Sequence, residues 1–297
     1  MLDKLTTETR NERTMHLDRM NIEELLTVMN EEDAKVAGAV KQQIPRIAEA
    51  VQAITKALRS GGRLIYMGAG TSGRIGLLDA VECPPTFGTP PEQVIGLIAG
   101  GSSAFVKAVE GAEDLKELGA DDLQELRLTG NDAVVGLAAS GRTPYVIGGL
   151  EYARSVGAVT ISVSCNKGAE ISAKADIAIE VENGPEVLTG STRLKAGTSQ
   201  KLICNMLSTA SMIGLGKVYG NLMVDVQPTN EKLIERAKRI VMEASSCDLA
   251  TAEKTLSLTG NKPKPAILMI LTGCSYPEAL EKLERTKGFI GPAVDGQ

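Results

Sequence analysis

The 297-residue chain has no tryptophan, three phenylalanines and one histidine, His16. A lone imidazole in a polar N-terminal stretch excludes a histidine-built metal site and a Ser-His-Asp triad. The five cysteines (Cys83, Cys165, Cys204, Cys247 and Cys274) are odd in number, scattered, and never in C-x-x-C spacing. That pattern suits reduced thiols in a cytoplasmic protein rather than a disulfide frame or a zinc site. No apolar run approaches the roughly 20 residues that span a membrane, and the opening MLDKLTTETRNE is too polar for a signal peptide. Positive charge is also short. A net charge of −5 speaks against a nucleic-acid footprint. Any proton transfer must therefore fall to carboxylates, lysines, tyrosines or hydroxyls.

What is present is ordinary globular composition, 43% hydrophobic and 23% charged, with length enough for one large core and an appendage. Asn21 and Glu24 form a capping-box pattern that opens a helix. A second helical pattern runs from Asp33 to Leu58, with Val36, Val40, Ile44, Ile47, Val51, Ile54 and Leu58 at three- and four-residue spacing and Pro45 as a kink. Its stripe is expected to pack on a partner subunit or on the chain's own sheet. From 63 onward short apolar runs alternate with helical patterns. The strand candidates are 63–67, 94–99, 132–139, 158–164 and 177–181; helical spacing is read at 103–118, 143–156 and 196–217. Buried strands separated by helices predict a parallel sheet covered on both faces. Residues 231–290 carry short helical stretches punctuated by glycine and proline. The expected organisation is an N-terminal helical segment (1–58), an α/β domain (59–220) and a small helical domain (221–297).

The chemistry is expected in the loops. The run RLIYMGAGTSGRIGLLDAVE (63–82) reads as a strand, a glycine turn and a helix, a geometry that aims backbone N–H groups at an anion. No acidic residue ends a second strand to hold a ribose, and no Gly-Lys-Ser/Thr follows. Neither a dinucleotide nor a nucleoside triphosphate is therefore indicated. The strand at 132–139 ends in Ser140-Gly141-Arg142-Thr143-Pro144, where Thr143 at the N-cap and Pro144 at N1 start a helix. A third segment, from Gly184 to Lys195, contains Glu186 and Ser191 and opens the helix at 196–217. Each loop alone is explained by capping. Three hydroxyl-rich loops at the carboxyl edge of one sheet point to a phosphorylated polyol.

The GAGTS, SGRTP and GPE…STR segments resemble the sugar isomerase fold, which implies a three-layer αβα sandwich around a five-stranded parallel sheet that binds phosphosugars. More specifically, AVECPPTF (80–87), VEGAED (109–114) and LTGSTRLKAG (188–197) resemble the N-acetylmuramic acid 6-phosphate etherases, a likeness that extends from TTETRN near the start through the helical tail. The resemblance implies cleavage of a D-lactyl ether by C2 proton abstraction, elimination and water addition, with no metal and no cofactor. It implies Glu113 as the base and Glu82 as the acid, in the drier place beside Cys83, Pro84, Pro85 and Phe87. It also implies Thr71, Ser72, Ser140, Thr143 and Ser191 as phosphosugar ligands. Glu186 and Arg142 are expected either to bind substrate or to form loop ion pairs. If 73–82 is one helix, Glu82 lies roughly 15 Å along its axis from the phosphate loop. Either the helix stops early, or Glu82 serves the pocket of a neighbouring subunit in a homodimer, the reading preferred here. The rivals are a phosphosugar-sensing regulator, a transcription factor, for which no basic helical reader is present, and an aldose–ketose isomerase.

Overall fold

The computed structural model describes residues 5–107, 109–227 and 230–296. The chain divides into two compact units, Met1–Val81 with Glu92–Ser208, and Glu82–Pro91 with Thr209–Gln297.

The first unit is built on β1 (Leu64–Gly68), β2 (Val94–Ile98), β3 (Ala133–Leu137), β4 (Val159–Ser164) and β5 (Ile177–Glu180). All pair in parallel in the order β2-β1-β3-β4-β5. The strands are short, and the three inner ones, β1, β3 and β4, are almost wholly buried because helices cover both faces. Side chains alternate across the sheet. Ile65 and Met67 join Val134, Tyr145, Val146 and Leu150 on one face. Tyr66, between them, sends its hydroxyl to the carbonyl of Cys204 on the other face at 3.2 Å. The helices of this unit are α1 (Ile22–Lys41), α2 (Ile44–Arg59), α4 (Lys116–Glu125) and α5 (Pro144–Val156). Two more, α3 (Gly70–Phe87) and α6 (Lys195–Gly214), begin here and run on into the second unit.

Two helical expectations need correction. The break near Pro45 separates α1 from α2 at Gln42 and Gln43, and Pro45 stands in the first turn of α2, where its missing N–H costs nothing. The buried stripe of α2, Ile47, Ile54 and Leu58, packs on the chain's own sheet rather than on a partner. The stretch 103–118 is not one helix. It holds two single 3₁₀ turns, Ser102–Phe105 and Ala112–Asp114, and α4 starts only at Lys116. Glycine contributes to the difference: Gly111, inside the stretch, sits at φ 79°, outside the helical region. The capping box at Asn21 and Glu24 is present.

The second unit contains α7 (Glu231–Ser245), α8 (Leu249–Leu258), α9 (Pro263–Thr272), α10 (Tyr276–Arg285) and α11 (Ile290–Asp295). Asn230 and Asp248 cap α7 and α8, and Ser275 with Glu278 forms a capping box for α10. Their apolar faces share one core with Val224, Val241, Leu256, Ile267 and Leu268 at its centre. Among the described residues, no helix is long and apolar enough to cross a membrane.

Candidate functional site

The strand order reverses between β1 and β3, and an open parallel sheet offers its ligand crevice at that point, beyond the carboxyl ends of the strands. A cavity of about 410 Å³ lies there, lined by residues of the first unit. The loop after β1 supplies Ala69 to Ser72, and the loop after β3 supplies Ser140, Arg142, Thr143 and Pro144. Glu113 and Asp114 enter from the 3₁₀ turn before α4, and Gly190 and Thr192 from the segment before α6. Glu8 comes from the N-terminal segment.

The glycines of the first loop shape the approach. A Cβ on Gly73 would stand 2.6 Å from the carbonyl oxygen of Gly68, so α3 can start this close to β1 only without one. Gly70 opens the helix at φ 52°. These glycines have the spacing of a dinucleotide fingerprint, but β2 ends in Ile98, Ala99 and Gly100, with no carboxylate for a ribose.

Apart from Arg142, the side-chain donors in the lining are neutral hydroxyls. Thr143 is the N-cap residue of α5, yet its side chain makes no capping hydrogen bond, which leaves the hydroxyl to the cavity. Ser140 Oγ accepts from the Arg142 N–H at 3.3 Å and keeps its own proton to donate. Arg142 is not a free cation: its Nε donates to Glu170 at 3.0 Å. Ser72 is buried and its Oγ donates to Gln200 Oε1 at 2.9 Å, while Gln200 Nε2 is buried without a partner. Rotating the amide by half a turn makes Nε2 the donor and frees the serine proton for a guest. With Glu8, Glu113 and Asp114 in the lining and Arg142 engaged by Glu170, an anion is met chiefly by hydroxyls and the N-terminal ends of α3 and α5. Glu113 makes no side-chain hydrogen bond to the described residues and is exposed. A smaller hollow of about 160 Å³ shares Ala69, Gly70 and Glu113 with the cavity, so this carboxylate stands between the two.

Three sequence candidates lie outside the cavity. Glu186 is buried and accepts the N–H groups of Lys195 and Ala196 at 3.0 and 2.9 Å, capping α6. Burial raises its pKa against those hydrogen bonds. It is neither a cavity ligand nor a loop ion-pair partner. Ser191 is half-buried between two lining residues but does not line the cavity itself. Glu82 belongs to the second unit and is exposed, whereas Cys83 and Phe87 are buried, so the drier place falls to its neighbours. Because α3 is unbroken from Gly70 to Phe87, the alternative in which the helix stops before Glu82 is removed.

Several residues escaped the sequence reading, among them Asp114 and Thr192 in the lining. Gln200 carries no local signal, since it meets Ser72 across 128 positions. Glu8 is delivered by a lock 159 positions long: Thr7 N–H donates to Asn166 Oδ1 at 3.4 Å and Asn166 Nδ2 donates back to Thr7 Oγ1 at 3.1 Å. Asn166 Nδ2 also reaches the carbonyls of Ala139 and Ser140, while Asn11 Nδ2 donates to that of Pro185. The segment therefore crosses two of the site loops. The TTETRN run at 6–11 was noticed only as part of the resemblance.

Residues 46–154 match the family model of the glucokinase regulatory protein N-terminal SIS domain, and residues 117–210 that of the SIS domain. Two phosphoheptose isomerases, from Neisseria gonorrhoeae and Francisella tularensis, share this fold at 15% and 18% identity. They cover 64% and 65% of this chain and 98% and 100% of their own, each with a TM-score of 0.51. The class is thus a sugar isomerase domain with a helical C-terminal region. Beyond the class, the N-acetylmuramic acid 6-phosphate etherase of an Exiguobacterium species is 62% identical over 99% of this chain and 100% of its own length. That of Mycolicibacterium smegmatis is 60% identical over 99% and 98%. The chain belongs to the N-acetylmuramic acid 6-phosphate etherase family.

Proposed function

We propose that the chain is a carbon–oxygen lyase that cleaves the D-lactyl ether of N-acetylmuramic acid 6-phosphate, giving N-acetylglucosamine 6-phosphate and D-lactate. The observation that carries the reading is Glu113, an exposed carboxylate brought into one cavity with the hydroxyls of Thr71, Ser72, Ser140 and Thr143. Thr71, Ser72, Ser140 and Thr143 hold the phosphate with backbone N–H groups; Ser191 and Glu186 support the loop that follows β5. In the open-chain aldehyde the C2 hydrogen is alpha to a carbonyl. Glu113 removes it, the C3–O bond breaks, and Glu82 protonates the oxygen that departs as lactate. Water then adds to C3 of the unsaturated aldehyde while a proton returns to C2. Every step is a proton transfer or an addition, so no redox partner is needed.

Glu82 performs its part in the pocket of a second copy. An unbroken α3 and the exposed Leu78 and Val81 just before Glu82 support a homodimer with shared sites. The exposed Ile22 and Leu26 of α1 support the dimer-forming role of the N-terminal segment. Thiols buried in the fold, as at Cys165 and Cys204, suit a cytoplasmic setting.

Incubation with N-acetylmuramic acid 6-phosphate in heavy water is expected to release D-lactate and to leave deuterium at C2 of the product. Glu113→Gln should lower the rate by about 10²–10⁴-fold. Tight substrate binding without lactate would instead identify a phosphosugar-sensing protein, and lactate without C2 deuterium would remove the elimination route.

A further inference from the structure

A hollow of about 560 Å³ is lined by residues of the second unit alone and has no part in the reaction above. Three lysines line it, Lys217, Lys262 and Lys264, against a single carboxylate, Asp225. Lys264 Nζ donates to Asp225 Oδ2 at 2.6 Å and to the Gly216 carbonyl at 2.9 Å. Lys217 Nζ reaches the same Oδ2 at 3.2 Å. Two ammonium groups thus share one carboxylate oxygen, and their side chains are only 11% and 24% exposed. Counting Lys262, the lining carries a surplus of two positive charges. The chain is shaped around this cluster: a Cβ on Gly88 would stand 2.4 Å from the Asp225 carbonyl oxygen. The rest of the wall includes Val224, Val226, Leu280 and Leu283.

We propose that this cavity binds a small phosphate monoester. A phosphate group carries about −1.5 to −2 at neutral pH, which matches the surplus. Its organic part would lie on the valine and leucine wall, and the volume is that of an ordinary small-molecule site. Burial holds Lys264 below the usual lysine value despite Asp225, so a second anion relieves an ammonium that one carboxylate leaves under-compensated.

The test uses the full chain carrying Ser140→Ala and Thr143→Val, which weaken phosphate binding in the first unit. Calorimetric titration with inorganic phosphate at fixed ionic strength should still find one site per chain. Adding Lys217→Met and Lys262→Ala should weaken that site at least tenfold, and Lys262→Ala alone, at an exposed side chain, several-fold with the fold intact by circular dichroism. Glycerol 3-phosphate should bind more tightly than inorganic phosphate. No phosphate bound in the Ser140/Thr143 background, or an affinity blind to the lysines, overturns the proposal; equal affinity for the two probes removes the apolar subsite. Failure of the first-unit reading shows separately, as an unchanged stoichiometry on Ser140→Ala and Thr143→Val.

Discussion

Cys165 illustrates how far burial alone decides the behaviour of a side chain. Its thiol is pushed up to about 12, mainly by burial and against a hydrogen bond with Ser199, and burial raises Cys204 as well. Cys83 is buried too, while Cys247 and Cys274 are half-buried. A thiol reagent applied to the native chain near pH 8 should therefore modify at most Cys247 and Cys274. All five should react once the chain is unfolded, and rapid native labelling of Cys165 would contradict the packing described. Number and spacing led the sequence reading to expect reduced thiols. It could not say which are shielded, because shielding belongs to strands and helices far apart in the chain.

Among the elements, the strongest polar joint is that between α1 and the start of α6. Glu32 accepts from Lys195 at 2.7 Å with both side chains nearly inaccessible, and Lys35 and Arg13 complete its shell. Burial pushes Glu32 up, yet the hydrogen bonds from Lys195 and Lys35 outweigh it and hold the carboxyl at about 2, below its ordinary 4.5. A folded value below the unfolded one means stabilisation that is complete above about 4.5 and lost as the pH falls toward 2. The contribution is at most about 3 kcal/mol. Urea midpoints should drop steeply through this window for the native chain and less steeply for Glu32→Gln. At neutral pH that variant should lose about 3–5 kcal/mol, because Lys195 is left buried and unpaired; adding Lys195→Met should recover part of it. A second joint, Thr7 with Asn166, holds Glu8 in the cavity. Asn166→Ala should expose the N-terminal segment to tryptic cleavage after Arg10 and raise KM, and an unchanged cleavage pattern would count against the lock.

Legibility follows the same line. All five strands were visible because each is a short, mostly apolar run bounded by turn residues, a signal contained in four to six positions. The hydroxyl loops were visible because they follow strands directly. The stretch 103–118 was misread because apolar spacing survives where Gly111 turns the backbone aside. Glu8, Gln200 and the capping duty of Glu186 were hidden because each is defined by a partner that no local pattern announces.

For the whole molecule, the decisive question is whether one chain suffices. The cavity gathers Glu113 and the hydroxyls from the first unit, and Glu82 stands in the second. If the site is shared between copies, as proposed, Glu82→Ala and Ser72→Ala chains should each be nearly inactive alone. Mixed and allowed to exchange, they should recover about a quarter of the native rate, since half the dimers are mixed and each mixed dimer has one intact site. No recovery despite proven exchange would place both residues in a single chain's pocket.

The lock at Asn166 also has a consequence in time. A ribosome adds about 5–20 residues per second, and Asn166 follows Thr7 by 159 positions. The segment bearing Glu8 must therefore wait roughly 10–30 seconds after its own synthesis before its anchor exists. During translation this carboxylate is among the first made and among the last to be seated.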